Sequence, residues 1–261
     1  MKIRTSTLLE LKRNGKKFSC LTSYDQQTAE IFDAVGIEVL LVGDSASNTV
    51  LANDDTISVT LDEMIPFGKA VARSAKSALV VFDLPFGSYE ESADQALRNS
   101  IRVMKETGAH AVKLEGPKSE QIRHLVDSGI PVMGHAGFTP QSVHALGGYK
   151  IQGKNDEAAK RLREDCLAIE EAGAFAVVLE MVPADLAAEI TSELTIPTIG
   201  IGAGAGTDGQ VLVWTDFAGL SGRSPSFSKS YLNLRELLTD AATRYRTEVA
   251  EGAFPTKDQS F

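Results

Sequence analysis

The chain has 261 residues, 43% hydrophobic and 23% charged, the balance of an ordinary globular protein long enough to bury its own core. Its 26 basic residues against 35 acidic ones leave a net charge of −9, which repels nucleic-acid phosphates and an anionic membrane surface. Two widely separated cysteines, Cys20 and Cys166, build neither a disulfide framework nor a cysteine zinc site, and point to a reducing compartment.

The first segment, MKIRTSTLLELKRNGKK, is basic, but Glu10 and Lys12 break its apolar stretch. It is too poor in hydrophobic residues for a secretory signal. No later run approaches the roughly 18 apolar residues of a membrane span. A cytoplasmic location is expected. Short β-rich segments then follow: FSCLTSY (18–24), EVLLVGD (38–44), ALVVFDLP (78–85), HAVKLEG (110–116), IPVMGH (130–135), FAVVLEM (175–181), IPTIGIG (196–202) and QVLVW (210–214). Helical stretches lie between them. Thr60 with Glu63, and Ser92 with Gln95, read as capping boxes. Gly36, Gly108 and Gly173 read as helix ends. Asp25 reads as an N-cap. Residues 155–173 have apolar positions at helical spacing and a charged opposite face. The tail, about 223–261, reads as a loop and a helix near 232–250.

Alternating β and α segments imply a parallel sheet with helices outside. Eight units in 261 residues leave about 33 each, the size of one βα repeat. The expected fold is a single (βα)₈ TIM-type barrel domain over 1–261. A weak repeat supports this: Gly36 to Asp44, Gly108 to Glu115 and Gly173 to Glu180 each read as glycine, apolar strand, acid.

Asp44, Asp83, Glu115 and Glu180 all sit at the C-terminal ends of expected strands. A parallel barrel brings those ends to one face, where active sites are built. Buried carboxylates need a counter-charge or an ion. Lys113 lies two residues before Glu115, so both point to the same side. Oxygen-only ligands favour Mg²⁺ over zinc. Such an ion can chelate a 2-oxo acid and acidify its neighbouring C–H, and a carboxylate off the metal can remove that proton. The residues thus point to metal-assisted enolisation of a small keto acid. Ser45, beside Asp44, could donate to a substrate carboxylate. His135 would face the same mouth, as a functional or a structural residue. His110, His124 and His144 read as structural or surface residues. Gly204, Gly206 and Gly209 form a G-x-G-x-x-G, but a strand follows rather than a helix. That argues against a dinucleotide site and for close backbone packing, with a phosphate-binding loop after the seventh strand as the alternative.

The stretches LTSYD (21–25), LVGDS (41–45), DLPFGSY (83–89), VKLEG (112–116), GHAGFTPQS (134–142), GGYKIQG (147–153), LEMVP (179–183) and IGIGAG (199–204) resemble the ketopantoate hydroxymethyltransferase family, in family order. The resemblance spans about residues 10–255. It implies a barrel of the phosphoenolpyruvate mutase and isocitrate lyase group. It also implies transfer of a hydroxymethyl group from 5,10-methylenetetrahydrofolate to 3-methyl-2-oxobutanoate, giving 2-dehydropantoate for pantothenate and coenzyme A. By the same resemblance, Asp44, Asp83 and Glu115 match the acids of one Mg²⁺ site per subunit. Asp44, Ser45, Asp83 and Lys113 match the keto-acid contacts, and Glu180 matches the proton acceptor. A homo-oligomer, typically a decamer, is implied. The loop 48–56 and Thr215 differ from the family's usual pattern. The alternatives are another Mg²⁺-dependent carbon–carbon lyase of the group, or a non-catalytic barrel that binds a small acid.

Overall fold

The strand segments are apolar on both faces, as they must be when one face lines a barrel and the other meets helices. The computed structural model describes residues 2–222 and 224–261. Among the described residues the strands are β1 (Phe18–Thr22), β2 (Val39–Val42), β3 (Leu79–Asp83), β4 (Ala111–Lys113), β5 (Val132–Gly137), β6 (Ala176–Glu180), β7 (Thr198–Ile201) and β8 (Gly209–Leu212). Each pairs in parallel with its sequence neighbour, and β8 returns to β1 to close the barrel. All eight expected strands are present.

The helices of this unit are α1 (Thr5–Arg13), α2 (Gln26–Ala34), α3 (Ala46–Thr49), α4 (Leu61–Ser74), α5 (Ala93–Thr107), α6 (Ser119–Asp127), α7 (Val143–Leu146), α8 (Asp156–Glu171) and α9 (Ala184–Glu193). The chain divides into two compact units, the first ending at Val213 and the second spanning Trp214–Phe261. The second holds α10 (Trp214–Phe217) and α11 (Leu234–Ala250), the latter where a tail helix was expected.

Local signals act as the physics of helix ends requires. Thr60 and Glu63 exchange bonds at the start of α4, with Thr60 N–H donating to Glu63 at 2.8 Å. Asp25 accepts from Thr28 N–H at 2.9 Å and caps α2. Ser92 caps α5 by accepting from Gln95 N–H at 3.1 Å. The return half of that box differs from expectation: the Gln95 side chain accepts from Glu91 N–H instead. Gly36, Gly108 and Gly173 all take positive φ at helix ends.

The glycine-rich run after β7 has a packing role. A Cβ on Gly204 would lie 2.5 Å from Ala184 Cβ, and one on Gly206 would lie 2.6 Å from Ala188 Cβ. The bare backbone lets this segment lie against α9 on its way to β8.

Inside the barrel, Phe18, Cys20, Val39, Leu41, Leu79, Val81, Ala111, Met133, Ala176, Val178, Ile199 and Val211 form one apolar cluster with Leu8 of α1. Strand parity carries this stack upward. Two residues beyond Val81 is Asp83, beyond Ala111 is Lys113, beyond Met133 is His135, and beyond Val178 is Glu180. The mouth residues are therefore the top layer of the barrel's own core.

Candidate active site

Lys113 is the last residue of β4, not a mid-strand residue as expected, and it pairs in register with Asp83 at the end of β3. Its ammonium lies 2.7 Å from each oxygen of Asp83 and 3.8 Å from Glu115 Oε1. All three side chains are buried. Gly43 and Asp44 follow β2, and Asp44 N–H points at Asp83 Oδ2 at 3.4 Å. Strand β5 continues past His135 to Gly137, two residues further than expected, so His135 projects from within the strand. Its ring bridges two acids, with Nδ1 3.3 Å from Glu115 Oε1 and Nε2 3.4 Å from Glu180 Oε2. Neither contact has hydrogen-bond alignment.

Four carboxylates here face one ammonium, and the electrostatics follow. Burial, reinforced by Glu115, raises Asp44 above the ordinary carboxylate range. Burial raises Asp83 well above it, although Lys113 pulls the other way. Burial pushes Glu115 up to about 7 against the same lysine. Glu180 is also raised by burial, with His135 opposing. Burial would discharge Lys113, but Asp83, Glu115 and Asp44 together overturn that and hold it charged. Burial, then Lys113, lowers His135, which favours a neutral ring. A neutral imidazole carries one proton for two acid neighbours.

This donor set fits a divalent cation. No three His, Cys, Asp or Glu side chains among the described residues are gathered as a ready-made metal cage. Mg²⁺ does not need one, since one or two carboxylates with water and substrate oxygens suffice. Glu115 Oε1 is buried without a hydrogen-bond partner, and a cation would relieve the excess negative charge beside it.

Ser45 stands at the start of α3, with its hydroxyl 2.7 Å from Tyr24 Oη. The structure thus brings Asp44, Ser45, Asp83, Lys113, Glu115, His135 and Glu180 to the strand ends of one barrel. His110 lies apart and accepts from Val80 N–H at 2.9 Å, a structural role. His124 pairs with Asp94 at 3.2 Å, and His144 is exposed on α7. Loop 48–56 folds back onto α3, where Asn53 N–H donates to Ser47 O at 3.0 Å. Thr215 belongs to the second unit and accepts from Ser221 Oγ at 3.2 Å. Cys20 lies within the barrel core and Cys166 on the buried face of α8, both as free thiols.

Three residues with no assigned role in the sequence reading enter the site: Tyr24, Tyr89 and Gln141. Each follows a strand and is nearly fully buried. Backbone strain marks the same region. Met181, directly after Glu180, holds φ +49 and is fixed by Met181 N–H to Ile201 O at 2.9 Å.

The ketopantoate hydroxymethyltransferase family model matches residues 2–257. The chain belongs to the ketopantoate hydroxymethyltransferase family. The 3-methyl-2-oxobutanoate hydroxymethyltransferase of Leifsonia xyli subsp. xyli is 59% identical over 263 aligned residues, covering 100% of this chain and 95% of that protein. The enzyme of the same name from Corynebacterium efficiens is 57% identical, covering 100% of this chain and 97% of that protein. The fold extends beyond the ketopantoate hydroxymethyltransferases. A phosphonopyruvate hydrolase crystallised with oxalate and Mg²⁺ superposes with a TM-score of 0.61 at 13% identity, covering 99% of this chain and 93% of its own. A 2,3-dimethylmalate lyase of the phosphoenolpyruvate mutase and isocitrate lyase superfamily gives 0.57 at 16% identity, covering 100% and 92%.

Proposed function

We propose that this member of the family transfers a hydroxymethyl group from 5,10-methylenetetrahydrofolate to C3 of 3-methyl-2-oxobutanoate, giving 2-dehydropantoate on the route to pantothenate. One observation carries the reading: Asp44, Asp83, Lys113 and Glu115 form a buried cluster, while Glu180 stands beyond His135. That division suits a cation and its chelated substrate on one side and a base on the other. Asp44 and Asp83 would hold one Mg²⁺ per subunit, with Glu115 joining directly or through water. Such an ion, when bound, polarises the 2-oxo group and acidifies the C3 hydrogen.

The chain's own groups supply the rest. Lys113, seated on Asp83, offers positive charge to the substrate carboxylate or to the oxygen that gains charge. Ser45 donates its hydroxyl proton to the carboxylate while Tyr24 binds its oxygen. Glu180 takes the proton from C3, a contribution worth roughly 10²–10⁴-fold for a positioned base. Its side chain is 15% exposed, so it borders the mouth rather than the sealed cluster. Burial makes it a stronger base than an ordinary glutamate. His135 Nε2 stands 3.4 Å from Glu180 Oε2. The carbon left at C3 is the nucleophile for the one-carbon unit, which takes its hydroxyl oxygen from water, while tetrahydrofolate leaves with the displaced proton.

We further infer a homo-oligomer, a decamer as in the family. Helix α11 buries none of its residues and exposes Leu237, Leu238, Tyr245 and Val249. A subunit count from light scattering on the purified protein tests this. A cytoplasmic setting fits two unpaired thiols. Among the described residues no helix is long and apolar enough to cross a membrane.

The deciding assay combines 3-methyl-2-oxobutanoate, Mg²⁺ and formaldehyde-loaded tetrahydrofolate, with mass-spectrometric detection of 2-dehydropantoate. Product formation that needs both folate and metal is expected. Cleavage of a 2-oxo or 2-hydroxy acid without folate would instead favour a lyase. No turnover of any such acid would favour a binding barrel.

A further inference from the structure

Gln141 lies in the short 3₁₀ turn Pro140–Ser142 after β5, and its side chain is 4% exposed. Every polar atom of that side chain is engaged at the mouth. The amide nitrogen donates to Asp44 Oδ2 at 2.9 Å and to Leu84 O at 3.0 Å. The amide oxygen accepts the hydroxyl of Tyr89, itself 1% exposed. Tyr89 Oη in turn accepts Glu115 N–H at 3.2 Å. The circuit closes through the backbone of Gln141, whose N–H donates to Glu115 Oε2 at 3.0 Å. One glutamine therefore joins groups that follow β2, β3 and β4 to the turn after β5.

The directions of these bonds matter. An amide can point either way unless a partner fixes it. Leu84 O accepts only, so it needs the NH₂ group, and the Tyr89 hydroxyl can then donate only to the amide oxygen. The NH₂ group is thereby held against Asp44. Each acid has one oxygen committed: Oδ2 of Asp44 to the amide and Oε2 of Glu115 to the backbone N–H. Glu115 Oε1 is left buried without a hydrogen-bond partner. Hydrogen bonding to one carboxylate oxygen fixes where the other points, which is how outer groups orient metal ligands.

We propose that Gln141 is a positioning residue for the cation site: it fixes the oxygens that Asp44 and Glu115 present, and Tyr89 fixes Gln141. This rests on the Mg²⁺ reading above. Neither residue need touch the ion or the substrate. Loss of the amide would leave Asp44 with a buried oxygen unpaired and free to turn from the ion.

The test measures Mg²⁺ binding by calorimetry on intact protein without substrate, for wild type, Gln141→Leu, Tyr89→Phe and Asp83→Asn. Gln141→Leu is expected to weaken Mg²⁺ by 10–100-fold, the usual effect of losing an outer partner. Tyr89→Phe should weaken it less, since the amide remains and loses only its orientation. Raising Mg²⁺ should restore most of kcat in both, a rescue that a merely structural role would not give. Mn²⁺ bound in place of Mg²⁺ should show an altered electron paramagnetic resonance spectrum in Gln141→Leu. Unchanged Mg²⁺ affinity in folded Gln141→Leu, with binding lost in Asp83→Asn, overturns the proposal and leaves the metal reading standing. Unchanged affinity in Asp83→Asn as well overturns the metal reading itself. Circular dichroism reports folding. Should Gln141→Leu not fold, Tyr89→Phe decides by the same criterion, and wild-type affinity there overturns the proposal.

Discussion

Lys113 and Asp83 face each other across the β3–β4 ladder, and the lysine nitrogen stands 2.7 Å from both carboxylate oxygens. Parallel pairing puts their Cα atoms in register, so the strand geometry itself makes the ion pair. Both side chains are buried, so breaking the pair leaves a charge without a partner or solvent. Lys113→Met keeps most of the volume and removes the charge. The variant should lose about 3–5 kcal/mol of stability, less whatever Asp83 regains by taking a proton. Urea unfolding at pH 7 measures this. The keto-acid KM should rise, kcat should fall, or both. Wild-type KM and kcat in the folded variant would reduce Lys113 to Asp83's counter-ion.

The same crowding of acids makes the metal-free protein sensitive to pH. An acid whose folded pKa lies above its unfolded value holds its proton longer when folded. Its contribution favours folding at low pH and is lost as pH rises through the folded value. Asp44, Asp83, Glu115 and Glu180 are all shifted this way by burial, Glu115 from 4.5 to about 7. His135 is lowered by burial, so its effect is opposite in sign and lies at and below its ordinary 6.5. Above that value the acids act alone. Melting temperature in EDTA should fall between pH 6.5 and 8. Mg²⁺ at a hundred times its Kd should restore about 2.7 kcal/mol. A melting temperature in EDTA that is flat across this range counts against the cluster as drawn.

Much of this was readable in the sequence, for a definite reason. A barrel strand must be apolar on both faces, so Asp83 and Glu180 at the ends of LVVFD and AVVLE stand out against their own strands. The two-residue spacing of Lys113 and Glu115 placed both on one side, as found. Strand lengths were less legible. Segment HAVKLEG yields only Ala111–Lys113 as strand, although Leu114 N–H and Gly116 N–H still donate to Met133 O and His135 O of β5. Gln141 and Tyr89 could not be assigned, because their partners lie across the mouth. Gln141 bonds to Asp44, 97 residues away, and no periodicity spans that separation.

Gly137 tests how closely β5 and β6 must approach to place Glu180. It holds φ +91, and a Cβ there would lie 2.3 Å from Glu180 O. Phe138 N–H donates to that same carbonyl at 2.8 Å, so neither strand can yield without losing the bond. Gly137→Ala should cost more than the roughly 1–2 kcal/mol of left-handed strain alone. Gly87→Ala is the control, since Gly87 holds φ +83 with nothing within 4 Å of its Cβ. Thermal melts should show the larger loss at Gly137. Its kcat should also fall at temperatures where the variant is folded, because Glu180 moves with its carbonyl. Equal losses at the two glycines would remove the close approach as the reason for glycine.

Glu180 is the acid left over once Asp44, Asp83 and Glu115 are committed to the cluster around Lys113. Among the described residues, the basic side chain within ion-pair distance of it is the His135 ring, at 3.4 Å, and its own side chain reaches the mouth. The C3 hydrogen of 3-methyl-2-oxobutanoate is only weakly acidic, so a base within about 3 Å is required even with the carbonyl polarised. A glutamate is one methylene longer than an aspartate and can reach past a metal shell to that carbon. Because burial raises its pKa, proton removal should fail as pH falls through that raised value and persist above it. Glu180→Gln keeps the shape and removes the basicity, so the keto acid should still bind. Exchange of the C3 proton into deuterated water, followed by NMR without folate, isolates this single step. Exchange should drop by at least roughly 10²-fold, the lower range for a general base. Undiminished exchange would assign the proton to another group, and His135→Asn in the same assay would then be the next measurement.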